Sequence, residues 1–341
     1  MDRPSAERLI TDLYQFALGR KPGDAEYRHW VSLAEGGMAA SDIVAGFYRS
    51  EEFQARRIVH SVFPPGHYHS PVVDPATVRD YVARERQSRP DGIPGLPLDA
   101  AVMRGLWLAN LDFIRTTPFT DEPTPAHRYN YTGGPFPWGD AIMLRAILGH
   151  FRPRRVVEIG SGYSTACMLD SADHAGLAPF HVTCVEPYPE RLQSLLRPQD
   201  ADRITLHQSP IQDVSPAIVD TLEPNDILFI DSTHVMKTGS DVHYEFFHLL
   251  PRLRPGVIIH VHDVVYPFEY PDPWIFEQNY SWNETYVLRA FLMFNQEFRV
   301  LFWNSFYAAR YAREVQAEFP VFLRNPGSSI WIRRERPVAE P

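Results

Sequence analysis

The stretch Val156-Val157-Glu158-Ile159-Gly160-Ser161-Gly162-Tyr163-Ser164-Thr165 decides how this chain folds: an apolar run stops at a carboxylate and two closely spaced glycines follow. Val156 and Val157 are β-branched residues of the kind that fill a strand buried on both faces. Gly160 and Gly162 let the main chain turn sharply and approach a ligand, and Ser164 to Leu169 begin a helix. The local reading is therefore strand, ligand-binding turn, helix. A dinucleotide fingerprint would carry a third glycine where Thr165 stands, and a P-loop would continue into Gly-Lys-Ser/Thr, which does not follow. A carboxylate at the position of Glu158 repels phosphate and attracts a cation.

Composition narrows the setting. The chain has 341 residues, enough for one large or two unequal domains, and its 44% hydrophobic content is ordinary for a globular protein. A formal charge of -9 and the lack of any Lys/Arg run argue against a nucleic-acid partner. Residues 1–23 lack the apolar core of a signal peptide and no segment reaches the ~18 apolar residues of a membrane span, so no membrane association and a cytoplasmic location are expected. The two cysteines, Cys167 and Cys184, lie in apolar surroundings and read as buried thiols.

Upstream of the decisive stretch, residues 1–57 read as a small domain of three helices. Leu9, Ile10, Leu13 and Phe16 keep helical spacing, Gly19 to Asp24 breaks it, and Tyr27, Trp30, Val31 and Ala34 resume it. A third helix is predicted from a Ser41 cap, with Ser50-Glu51-Glu52 as a further start. Residues 58–120 form a proline-rich connector, with His67-Tyr68-His69-Ser70 read as a loop folding toward the site, and then a helix from Ala100 to Phe113. An aromatic loop from Arg128 to Asp140 precedes a helix from Ala141 to Leu148, which suits a cover over a ligand pocket.

Downstream, apolar runs alternate with helical patterns. Strands are predicted at Arg155–Glu158, His181–Glu186, Arg203–Gln208, Asp226–Asp231, Val257–His262, Phe298–Trp303 and Ser329–Ile332, an α/β doubly wound sheet with residues 121–335 as its domain. The clearest helix runs from Asp241 to Leu250 with Ser240 as its cap. Ligands of open α/β sheets bind beyond the carboxyl ends of the strands, where Glu158, Glu186, Gln208, Asp231 and Asp263 all fall. Asp231, His262 and Asp263 are candidate ligands of a divalent cation, and His234 stands beside them as a general base. The aromatic run beyond Asp263 offers Trp274, Trp282 and Glu284 to a substrate.

The Glu158-x-Gly160-x-Gly162 motif resembles motif I of the class I S-adenosylmethionine-dependent methyltransferases. With Asn225 to Asp231, Ser240 to Val242, Pro251 to Gly256 and His262-Asp263, the chain from about residue 60 to 333 resembles a bacterial small-molecule and sugar O-methyltransferase subgroup, including metal-dependent members. The resemblance implies a seven-stranded Rossmann-like sheet of order 3-2-1-4-5-7-6. It implies S-adenosyl-L-methionine held by Glu158, Gly160, Gly162 and Ser164 at the amino-acid end, Glu186 at the ribose, and Gln212 and Asp213 at the adenine. It further implies Mg²⁺ or another divalent cation on Asp231, His262 and Asp263, His234 and Asp231 in catalysis, and a small-molecule hydroxyl acceptor such as a sugar or glycan precursor. His262 departs from the acid expected in that metal pair. Leu13 to Arg20, Trp30 and Ile43 to Phe53 resemble a small bacterial helical domain of unknown function, which makes residues 1–57 a candidate surface for a protein partner or for self-association. Two other readings stay open: a nicotinamide-dependent oxidoreductase, and a non-catalytic scaffold docked through the N-terminal helices.

Overall fold

The computed structural model describes residues 2–18, 20–56, 63–87 and 92–335. Gly19 of the first predicted turn, residue 57 at the end of the predicted N-terminal domain, and 58–62 and 88–91 of the connector lie outside the described residues. The chain divides into two compact units, Met1–Asp74 and Pro75–Pro341, so the stretch read as one connector is shared between them.

The first unit holds helices Arg3–Leu18, Asp24–Glu35, Ala40–Arg49 and Glu51–Arg56. Ile10, Tyr14, Val31, Ile43 and Phe47 close on one another as its core, with Tyr14 edge-on to Phe47 at 4.9 Å. The third helix begins one residue before Ser41 and has no side-chain cap, whereas Ser50 does cap the fourth by accepting from the Phe53 amide at 3.1 Å. The His67-Tyr68-His69 cluster belongs to this unit, where its rings pack on each other and on Phe63.

The second unit is built on a seven-stranded sheet of order β3-β2-β1-β4-β5-β7-β6. The strands are β1 (Arg155–Ile159), β2 (His181–Val185), β3 (Ile204–His207), β4 (Ile227–Ile230), β5 (Ile258–Val261), β6 (Phe298–Trp303) and β7 (Ile330–Arg334). β1 to β5 pair in parallel, while β7 runs antiparallel to both β5 and β6. Every residue of β4 and β5 is buried, β4 as an unbroken apolar run and β5 with His260 among its apolar residues, as befits strands inside a covered sheet. The helices Trp138–Phe151 and Tyr163–Ala175 pack beside each other next to β1. Ser240 caps the helix beginning at Asp241 by accepting from the His243 amide, and that helix widens into a π turn at Glu245–Leu249. The predicted helix Ala100 to Phe113 is broken at Asn110, whose side chain donates back to the Leu106 carbonyl at 2.7 Å. With β1 to β5 parallel, their carboxyl ends share one edge, and the loops that follow them build the site.

Candidate functional site

Gly160 leaves β1 with φ +80°, a conformation that side chains with a Cβ rarely adopt. A Cβ there would lie 1.8 Å from the carbonyl oxygen of Asp231, so the ends of β1 and β4 can approach this closely only around a glycine. The helix that follows is braced from beneath by Glu158. Ser164 Oγ donates to one of its carboxylate oxygens at 2.6 Å, Thr165 Oγ1 donates to the other, and Thr165 Oγ1 also accepts from the Gly162 amide at 3.1 Å. Burial pushes the Glu158 carboxyl up to about 7 against the pull of these bonds. The sequence placed this carboxylate before the ligand's cation; the structure turns it inward, away from every cavity at the site, because the two hydroxyls that follow the glycines capture it. The position that departs from a dinucleotide fingerprint, Thr165, is thereby accounted for.

A cavity of about 260 Å³ opens over this loop, between Gly160, Gly162, Ser164, Glu186 and Arg191 on one side and Asp231, His262 and Asp263 on the other. It shares Gly160, Glu186, Asp231 and Ser232 with a second cavity of about 380 Å³ that continues past Tyr188, Ile211 and Gln212. Glu186 accepts from the amides of Ser161 at 3.2 Å and Tyr188 at 2.8 Å, which fixes its carboxylate between the two cavities. Gln212 donates to the Gly239 carbonyl at 2.8 Å. Asp213 does not join it: the tight turn Ile211–Asp213 directs it into a separate groove with Thr183, Thr205 and His207. Its place on the wall is taken by Asp241, which accepts from the Thr233 amide at 3.0 Å and hydroxyl at 2.6 Å. Arg191 was not singled out from sequence, and Asp241 was read there as a helix start rather than as a site residue. Arg191 follows Glu186 by only five positions, which was a usable signal.

A third cavity, of about 730 Å³, shares Pro135, His262 and Asp263 with the first and opens between Tyr131, Trp138, Trp274, Tyr280 and Trp282. Tyr131 stacks on Trp138 with ring centres 5.8 Å apart, and Tyr280 on Trp282 at 4.3 Å. The loop from Arg128 to Trp138 is the wall common to both cavities. It is anchored by the buried Arg128 guanidinium, which donates to Asp170 at 2.6 Å and to Asp200. Trp274 and Trp282 line the third cavity. Glu284 does not: it is buried behind Trp282, with Oε2 2.8 Å from Nδ1 of His234.

His234 and Asp263 leave β4 and β5 with φ +61° and +57°, both strained for residues with side chains. The His234 ring is buried directly behind the two aspartates, and its Nε2 lies 3.6 Å from Asp231 Oδ1 and 3.4 Å from Asp263 Oδ2. Burial opposes a charge on this ring, but the hydrogen bond and charge of Glu284, with Asp263 and Asp231, outweigh it and raise its pKa to about 9. Asp263 is steadied by the Ser328 hydroxyl at 2.7 Å, and the amides of Ser328 and Ser329 donate to the buried Asp140. Asp140, also unforeseen, ties the start of β7 to the site; burial pushes its carboxyl up to about 6. His262 reaches the cavities and stacks on Phe136 at 5.5 Å, whereas His260 packs on Phe229 at 3.8 Å in the core, where burial favours its neutral form.

Asp231, His262 and Asp263 do not make a magnesium centre. Among the described residues no group of three His, Cys, Asp or Glu side chains is arranged to hold a metal ion. The space between the two aspartates already faces a ring nitrogen of His234, and His262 offers nitrogen where Mg²⁺ requires oxygen. No step is routed through a metal below.

Residues 157–264, from within β1 to just past β5, match the family described as "Methyltransferase domain". The chain belongs to the class I methyltransferases. Residues 2–57 match a second family, described as "Domain of unknown function (DUF4214)". The methyltransferase is 32% identical over 180 residues to an uncharacterized protein of Archaeoglobus fulgidus, a match covering 50% of this chain and 78% of that one, and it shares that protein's family. Among solved structures it is similar to a putative O-methyltransferase from Klebsiella pneumoniae (15% identity, 76% of this chain and 97% of that chain, TM-score 0.39). It is also similar to an SAH-bound methyltransferase of Podospora anserina (16% identity, 76% and 96%, TM-score 0.38). No helix among the described residues of the methyltransferase is long and apolar enough to cross a membrane.

Proposed function

We propose that this methyltransferase moves the methyl group of S-adenosylmethionine to a hydroxyl of a small neutral molecule, a sugar or glycan precursor. The observation that carries the reading is that the cavity over the glycine loop and the aromatic cavity meet at His262 and Asp263. A donor in one can therefore face an acceptor in the other.

The cofactor's amino-acid end fits the amides of the loop at Gly160 to Gly162 and the start of the helix Tyr163–Ala175, with the Arg191 guanidinium beside them for its carboxylate. Glu186 lies where the ribose hydroxyls would donate to it. Tyr188, 78% exposed, offers its ring to the adenine across from Ile211 and Gln212. Asp231 then neighbours the sulfonium, where a carboxylate favours positive charge. The acceptor's ring lies against Trp274 and Trp282, and its hydroxyl enters at Asp263. Transfer is an in-line displacement: the acceptor oxygen forms a bond to the methyl carbon, the carbon–sulfur bond breaks, and the hydroxyl proton passes to Nε2 of His234 beside Asp231 and Asp263. The neutral thioether leaves without any covalent enzyme intermediate.

The test is transfer of labelled methyl from S-adenosylmethionine to a panel of methyl hexosides, phenols and primary amines, with products read by mass spectrometry. Methyl ethers on the hexosides are the expected products. Methylation confined to the amines would overturn the hydroxyl assignment.

A further inference from the structure

Glu284 is the acid that the sequence put in the acceptor pocket and the structure moved behind the ring of His234. Its neighbours in sequence move with it, and each does something to the same histidine. Trp282 packs on the ring at 4.5 Å and lines the aromatic cavity on its other side. The Asn283 and Glu284 amides, at the N-terminus of the helix Glu284–Leu292, both donate to the His234 carbonyl at 3.1 Å. Asn283 also bridges Met236 twice: its Oδ1 accepts from the amide at 2.6 Å and its Nδ2 donates to the carbonyl at 3.2 Å. Glu284 Oε2 meets Nδ1 at 2.8 Å.

We propose that Trp282-Asn283-Glu284 is a single positioning device for His234, in which Glu284 fixes the ring with its proton on Nδ1 and leaves the Nε2 lone pair on the side of Asp231 and Asp263, where the acceptor hydroxyl would enter. This rests on the reading of His234 as the base. A neutral imidazole carries its proton on either nitrogen, and the partner of one nitrogen decides what the other can do. With Glu284 ionised and 2.8 Å away, a proton on Nε2 would set the Nδ1 lone pair against a carboxylate oxygen in a buried space. A proton on Nδ1 makes a charge-assisted hydrogen bond instead. The main-chain bonds have a second purpose. His234 sits at φ +61°, a conformation unfavourable for a residue with a side chain, and the two amides from residues 283 and 284 hold the carbonyl that this turn directs toward them. The same dipeptide therefore secures the backbone and the ring. Because Trp282 is both cavity wall and ring partner, an acceptor packed on Trp282 lies one residue from the clamp. The other titratable groups around the ring are Asp231 and Asp263 on the Nε2 side and the buried Glu245, whose carboxyl burial, and after it the charge of Glu284, pushes up.

The test uses the full chain with ¹⁵N-labelled histidine rings, read by long-range nitrogen–proton correlation near pH 10, above the value of about 9 for His234. The resonance is assigned by its loss in His234→Asn. In the wild type the ring is expected as one tautomer with the proton on Nδ1. In Glu284→Met, which keeps the volume and removes the acceptor, that pattern should give way to a mixture or to the Nε2-protonated form, while S-adenosylhomocysteine affinity stays within about twofold. A wild-type ring protonated on Nε2 overturns the proposal, as does an unchanged tautomer in Glu284→Met. The wild-type spectrum decides the matter even if the variant does not fold. Failure of S-adenosylhomocysteine to bind, with the Nδ1 tautomer intact, would instead sink the proposed reaction and leave the positioning geometry standing.

Discussion

His234 and Glu158 show what burial does to single charges in this protein. His234 is surrounded by three carboxylates that raise its pKa to about 9, so at neutral pH most of it holds the proton that a base must be without. Turnover with a methylated acceptor should therefore rise from pH 7 toward pH 9 and then level off, and a flat profile over that range would count against His234 as the base. Replacing His234 by Ala should lower kcat by roughly 10²–10⁴-fold and leave S-adenosylhomocysteine affinity nearly intact in calorimetry. Glu158 illustrates the opposite sign. Its folded-state value, about 7, lies above the ordinary 4.5, so the folded protein keeps a proton that the unfolded chain has released. Stability from this group is lost as pH rises from about 4.5 to about 7. Glu158→Gln cannot titrate, and melting curves should show its Tm improving relative to wild type across that window; a constant difference would contradict the assignment.

At the scale of elements, the strand-to-helix turn after β1 and the loop from Arg128 to Trp138 bear most of the site. Gly160→Ala places a Cβ against the Asp231 carbonyl at φ +80°, so β1 and β4 must separate. Loss of S-adenosylhomocysteine binding together with a lower Tm is the expected result. Arg128→Ala leaves Asp170 and Asp200 as buried carboxylates without their partner, at a cost of about 3–5 kcal/mol in denaturant unfolding. These elements also show what the sequence could and could not reveal. Strand positions followed from unbroken apolar runs such as Ile227 to Ile230, and the turn from its glycines, because both signals are local. The Trp274 and Trp282 side of the aromatic cavity was legible for the same reason: aromatics clustered in a loop need a surface to cover. The direction of a carboxylate was not. Glu158, Asp213 and Glu284 each turned away from the expected ligand because a partner elsewhere captured the side chain or a tight turn redirected it: Ser164 with Thr165, the turn Ile211–Asp213, and His234 fifty positions upstream. Arg128 gave no signal either, since its partners Asp170 and Asp200 lie on segments that only the fold brings near.

For the whole molecule, the two hydrophobic cores are made within separate units. Ile10, Tyr14 and Phe47 belong to one, and the sheet with its flanking helices to the other. Residues 75–341 expressed alone should therefore fold and bind S-adenosylhomocysteine as the full chain does, and a loss of binding on this truncation would assign the N-terminal helices a part in the site. The oxidoreductase reading and the methyltransferase reading share a sheet but require different ligands at Gly160 to Thr165. Isothermal titration of the full chain with S-adenosylhomocysteine, run beside NAD and NADP, separates them most directly. Saturable one-to-one binding of S-adenosylhomocysteine, weakened by Arg191→Ala and unmatched by either dinucleotide, is the expected result. No heat with S-adenosylhomocysteine, or tighter binding of a dinucleotide, would contradict the account.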